Sequence, residues 1–199
     1  MACPVLAWFR FHIAALALLA PPIVVFGQTA RPATTHCTAD PSATLPKSQR
    51  ETLKELQQSV ESGPLYQELV STTGKPQSCE VAWKDGDLTL SYLFNKEGRL
   101  RATITPAIEV EEERVKLPKL QPITEERALA LLKAGAKHHF PPTPESSGED
   151  GCGIKWGEPK ERTSSGSRVV AYWGQTCNCQ ARKVYEGNRI TELIVSSAC

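Results

Sequence analysis

CEVAWKDGDLTLSYLFNKEGRLRATI, residues 79–104, alternates apolar and polar side chains through three short runs separated by two turn signals. Cys79, Val81 and Trp83 alternate with Glu80, Ala82 and Lys84. Asp85-Gly86 is the strongest short hairpin signal a sequence can carry, because both positions tolerate positive φ. It predicts Trp83 opposite Leu88, Val81 opposite Leu90 and Cys79 opposite Tyr92. The second run continues to Phe94, and Lys96-Glu97-Gly98 turns the chain back, with Gly98 free to take the left-handed conformation. That loop predicts Phe94 opposite Leu100, Tyr92 opposite Ala102 and Leu90 opposite Ile104. One face of this meander is apolar; the other carries Glu80, Lys84, Thr89, Ser91, Arg99, Arg101 and Thr103. A slip of one residue would turn the apolar set to water, so the alternation specifies the register.

The apolar face needs cover, and the chain upstream supplies it. Ser48 and Glu51 have the spacing of a capping box. Leu53, Leu56 and Val60 follow at helical spacing, and Gly63-Pro64 ends that helix. A second, shorter helix carries Tyr66, Leu69 and Val70 and stops at Gly74, with Pro76 just beyond. Residues 47–106 therefore read as an ααβββ module. Residues 107–122 (AIEVEEERVKLPKLQP) are a linker or a connecting strand.

A second αβ module spans residues 123–199. Thr124 is an N-cap, Glu125 and Glu126 suit the positive end of a helix, and Ala128, Leu129, Leu131 and Leu132 form its apolar face. The helix ends near His139, before Pro141-Pro142. Cys152-Gly-Ile-Lys-Trp156 repeats the cysteine, branched-apolar and tryptophan spacing of Cys79 to Trp83. Residues 168–186 are one long strand bent at Gly174, or two strands, and a turn at Gly187-Asn188 leads to the last strand. The expected fold is α+β: two related modules, each with one or two helices on one face of a three- or four-stranded antiparallel sheet, stapled by disulfides. This pattern reads as an internal duplication with an enlarged second copy.

The ends of the chain speak to compartment. Residues 1–27 have one basic residue, Arg10, then the apolar run FHIAALALLA, then Val25 and Gly27 at the −3 and −1 positions of a cut after Gly27. The competing reading, an uncleaved anchor, needs about 20 uninterrupted apolar residues, and Pro21-Pro22 breaks a shorter run. Residues 28–46 are a Pro/Thr/Ala-rich tail, and no later segment is apolar enough to span a bilayer. Of 23 Lys+Arg, losing Arg10 leaves 22 against 22 Asp+Glu. A formally neutral chain lacks the clustered charge that binds nucleic acid. Cys3 leaves with the leader, and six of seven cysteines remain: Cys37, Cys79, Cys152, Cys177, Cys179 and Cys199. An even number in an exported chain reads as a disulfide framework with fifteen possible pairings. The preferred set is Cys37–Cys79, Cys152–Cys179 and Cys177–Cys199. The last pair requires a three-residue turn that also sets Ala181 opposite Val195 and Lys183 opposite Leu193. The expected location is extracytoplasmic, either secreted or periplasmic.

Residues able to do chemistry are few. His138 and His139 are adjacent on a helix, about 100° apart, which suits no shared ligand; at a helix end they complement the dipole. Glu109, Glu111, Glu112 and Glu113 read as a solvated charge run, and Glu149 and Asp150 as loop acids. No nucleophile, phosphate-binding or dinucleotide motif is present, so no catalytic residue, metal or cofactor is assigned. Tyr172 and Trp173 alternate faces near Gly174, which leaves one of them as a partner-contact anchor.

The run Leu65 to Pro76 (LYQELVSTTGKP), followed by a meander ending LFNKEGRL at Leu100, resembles the ααβββ modules of SmpA/OmlA-type outer-membrane assembly lipoproteins. It is also similar to the tandem modules of β-lactamase-inhibitor-like proteins. The resemblance covers residues 47–106 and, more loosely, 123–199, and implies non-enzymatic binding domains. The expected function is a non-enzymatic binding or structural protein whose partner is a protein or an envelope component. Two alternatives stand beside it: an inhibitor of an extracellular enzyme, and a hydrolase with an unrecognised carboxylate site.

Overall fold

The computed structural model describes residue 37 and residues 45–84, 86–105, 110–146, 148–175 and 178–198. Residues 1–27, read from the sequence as a leader, and most of the 28–46 stretch lie outside them. The described part is α+β. Its helices are α1 (Lys47–Ser62), α2 (Pro64–Thr73) and α3 (Glu125–His139). Its strands are β1 (Ser78–Lys84), β2 (Asp87–Leu93), β3 (Arg99–Thr105), β4 (Val110–Lys116), β5 (Lys160–Ser164), β6 (Ser167–Trp173), β7 (Gln180–Glu186) and β8 (Arg189–Ala198). All eight form one antiparallel sheet in the order β1-β2-β3-β4-β8-β7-β6-β5. Two four-strand meanders thus meet last strand to last strand and share a single core. The segment at 107–122 resolves in favour of a strand, since β4 is the inner edge of the first meander.

The first hairpin holds the expected register, Trp83 to Leu88 and Cys79 to Tyr92. The second is offset by two residues: Tyr92 faces Leu100, Leu90 faces Ala102 and Leu88 faces Ile104. The connection is longer than expected, because Phe94 leaves the strand and a short 3-10 turn at Asn95–Glu97 intervenes. Lys96 and Glu97 take the positive φ values, 56° and 69°, while Gly98 has φ −68°. Gly98 is needed for room instead, since a Cβ there would stand 3.3 Å from that of Phe94 and 3.4 Å from Leu69. An even offset leaves each side chain on its face, so the amphipathic pattern survives the correction.

The turn between β7 and β8 shows a similar compensation. It has two residues, with Glu186 opposite Arg189, which alone would shift every pair. A bulge between Val184 and Tyr185 restores the offset, and Ala181 faces Val195 while Lys183 faces Leu193. The capping box expected at Ser48 does not form. The helix begins at Lys47, behind Pro46, so Ser48 is already inside its first turn, and no side chain caps the end. Cys152 to Trp156 is not a strand, so its likeness to Cys79–Trp83 does not extend to structure.

All three helices lie on one face. α1 packs on β2 and β3, α3 packs on β7 and β8, and α2 joins the two helices. Leu53, Leu56 and Val60 of α1 are buried on Leu88, Leu90, Tyr92 and Leu100. Burying each of these aliphatic side chains is worth about 1.5–3 kcal/mol. At α3 the Thr124 hydroxyl accepts from the Arg127 amide at 3.2 Å, the cap the sequence specified.

Candidate functional site

The described helices all cover one face of the sheet, and none of them lies on the other. Across the centre of that open face the ladder aligns Arg101, Arg114, Ile194, Arg182 and Ala171. Glu112 lies between two guanidiniums: Arg182 Nη2 donates to its Oε2 at 3.2 Å, and Arg114 Nη2 stands 3.3 Å from its Oε1. Glu192 adds a longer contact to Arg114, 4.0 Å. Burial pushes the Arg182 guanidinium below its ordinary value, with Glu112 opposing that shift. Ile194 and Ser196, their ladder neighbours, are buried although no described helix covers them. Such a surface can present a fixed pattern of charge to a partner.

The two aromatic candidates separate. Tyr172 is 5 % exposed on the helix side, its ring 5.3 Å from Trp156. Trp173 is 40 % exposed, on the open face, opposite Gln180. Of the pair, only Trp173 is available to a partner.

Cys37 and Cys79 stand at disulfide distance, with Cα atoms 5.0 Å apart, as do Cys152 and Cys179, at 6.0 Å. Cys177 and Cys199, and with them the third expected pair, lie outside the described residues. The second staple ties the loop at 140–159 to the chain just before β7, and here the reading of Asp150 as an ordinary loop acid is overturned. Asp150 is buried; its Oδ1 accepts from the amides of Cys152 and Ile154, both at 3.1 Å. Its Oδ2 accepts from the Trp156 indole at 3.3 Å. Gly174 runs so close that a Cβ there would meet the Cys152 carbonyl at 2.9 Å. The carboxylate is structural: it organises the loop that lays Trp156 on Tyr172.

The acidic run at 109–113 is corrected as well. Glu109 lies outside the described residues, but Glu113 is in β4, between Ala102 and Val195 on the helix-covered face. Its Oε2 meets His139 Nε2, and the two side chains are 0 % and 2 % exposed. His138 turns the other way and bonds the Ser59 carbonyl at 2.8 Å. The histidine pair is therefore divided between two partners, which their 100° separation on α3 requires. Glu113 shares parity with Val115 and Leu117 in sequence, and that alternation is the signal that marks it as inward. The solvated-run reading overlooked it.

A third polar cluster closes the helix side of β7. Lys183 Nζ donates to Glu125 Oε2 at 2.7 Å, and the Tyr185 hydroxyl donates to the same oxygen at 2.8 Å. Burial opposes the charge on Lys183, but the bonds to Glu125 and Tyr185 outweigh it and raise its pKa. Burial and the bond to Glu125 raise Tyr185. Among the described residues no group of His, Cys, Asp and Glu is arranged to hold a metal. One surface cleft of about 220 Å³ lies at Leu69, Pro118 and Ile123, and another of about 330 Å³ at Glu145, Cys152 and Gln175; neither is lined by Glu113 or His139.

Comparison with protein-family models, curated proteins and solved structures finds no match to this chain.

Proposed function

We propose that this chain is an extracytoplasmic binding protein that engages a partner protein through the open face of its sheet, without a catalytic step of its own. The observation carrying this reading is that face itself: a sheet surface that no described helix covers, with an Arg114–Glu112–Arg182 network and an exposed Trp173. Arginine and tryptophan are the residue types that most often anchor protein interfaces. The compartment rests on cysteine pairs at disulfide distance, which persist where the surroundings are oxidising. It is compatible with the finding that no described helix is long and apolar enough to cross a membrane. We read the two meanders as related modules, since each follows its own helical segment and they meet symmetrically. This is in keeping with the resemblance to tandem inhibitor-like modules. Inhibition of an extracellular enzyme is the form of binding favoured by a stapled, preorganised sheet, which loses little freedom on docking. A hydrolytic role is less well supported, because the one carboxylate–imidazole contact described is shut away from solvent.

The test is site-specific photo-cross-linking in the native host. A photoreactive residue in place of Trp173 should yield a protein adduct, and one in place of Lys54, exposed on α1, should not. Adducts from position 54 alone, or none from either, overturn the reading.

A further inference from the structure

The open face is not evenly charged, and its charges are not evenly satisfied. Its central acids are ion-paired, Glu80 with Arg99 at 3.7 Å, Glu112 with Arg114 and Arg182, and Glu192 with Arg114; Asp87 accepts from the Thr105 hydroxyl, and Glu186 is exposed at the far end of β7. Arg101, Lys116 and Arg162 are exposed and make no ion pair among the described residues, although Glu192 of β8 lies directly opposite Lys116. The placement on β3 and β4 is more telling. The ladder sets Arg101 directly opposite Arg114 and Arg99 directly opposite Lys116. Like charges facing each other across a strand pair are destabilising, and here two such pairs adjoin. Stability alone would favour an acid at position 101, which has no acid opposite it; Lys116 has Glu192 on its other side. Beside this block Leu93, opposite Arg99, is 45 % exposed.

Resting on the binding role proposed above, we infer that the Arg99–Arg101–Arg114–Lys116 block docks an acidic segment of the partner protein. Carboxylates brought in by that segment relieve the cross-strand repulsion, and Arg101 offers them an unoccupied fork for bidentate contact. Leu93 supplies the apolar anchor that a polypeptide fills and a polysaccharide does not. Because the chain without its leader carries 22 charges of each sign, the attraction is local to this face rather than a general affinity for polyanions.

The experiment measures binding of a labelled poly-glutamate peptide to the oxidised protein by fluorescence anisotropy. It compares wild type with R101E/K116E and with K54E/K137E, a control on the exposed sides of α1 and α3. Wild type and the control should bind alike, with affinity falling as salt rises. R101E/K116E should bind about tenfold more weakly or worse. Its unfolding midpoint should hold, because R101E turns the pair with Arg114 into an opposite one, while K116E gains an opposite pair with Arg99 and sets a like charge opposite Glu192; this separates lost docking from lost folding. Absence of binding, equal loss in the control, or tighter binding of heparin or anionic vesicles than of poly-glutamate would overturn the acidic-segment inference. If adducts at position 173 persist in that event, the sheet-face reading stands and only the partner's chemistry is wrong; if they too are missing, both fall.

Discussion

The two meanders solve the same problem with different materials. The first is covered by α1 and α2, and the residues meeting them, Leu88, Leu90, Tyr92, Leu100 and Ala102, are apolar or aromatic. The second has only α3, and the rest of its cover is the loop at 140–159. That loop has no repeating hydrogen-bond pattern of its own, so its order depends on Asp150, on Trp156 lying over Tyr172 and on the Cys152–Cys179 staple. Its strand face is also less apolar, holding Lys183 and Tyr185 under Glu125. A helix satisfies its backbone internally and needs only an apolar stripe to dock. A loop must find partners for its amides and must offset the entropy of ordering each residue. Irregular cover therefore concentrates stability in a few polar and covalent contacts, where single substitutions act strongly.

The seam between the halves should show the largest effect. His139→Ala leaves the Glu113 carboxylate buried beside β8 without its partner, and urea unfolding should show a loss of about 3–5 kcal/mol. A double variant adding Glu113→Gln should recover part of it. Replacing Cys152 and Cys179 by Ser releases a staple spanning 27 residues, worth about 3.5 kcal/mol in the chain-entropy model. The loss should be local: Trp156 emission should shift to the red while packing of Tyr66 on Tyr92 in the first half is unchanged. If both halves loosen together, the contrast between their covers is wrong.

Asp150→Ala removes the acceptor of two amides and an indole and should cost about 2–3 kcal/mol, again with a red shift at Trp156. In the first half, Tyr92→Phe deletes the 2.7 Å bond from its hydroxyl to Glu61 and the contact with Gln57. It should cost about 1 kcal/mol, because helical packing carries most of that interface. The smallest effect is a pH dependence. Burial opposes the charge on Glu125, but Lys183 and Tyr185 outweigh it and hold its carboxyl below the ordinary 4.5. A depressed carboxyl stabilises the fold above its unfolded pKa and loses that contribution as pH falls through the folded value. Stability of the wild type should thus fall below about pH 4.5 more steeply than that of Glu125→Gln, measured by unfolding midpoints across the acid range.

Much of the first half was legible because its signals are local. Asp85-Gly86 sets a register, Gly63-Pro64 separates two helices, and Thr124 caps a third. The open face is legible in part: alternation puts Arg99 and Arg101 on the polar side of the meander, but their neighbours Arg114 and Lys116 lie in a segment whose pattern suits a linker as well as a strand. The second half was harder. Nothing local in GEDGCGIKW marks Asp150 as buried, because its partners are fixed only once the chain has folded around it.

Parity and turn chemistry are properties of neighbouring residues, so the sequence by itself determined the three helices, the first hairpin and which side chains of β2 and β3 face inward. The cysteine pairs aside, bonds between residues far apart in the chain were decided by tertiary structure. Joining β4 to β8 made one sheet of two meanders, and that contact set Glu113 beneath α3 beside His139 and lined Arg114 up with Arg182 across the open face. Burial of a charged group depends on what the rest of the chain stacks upon it, and no short window of residues contains that information.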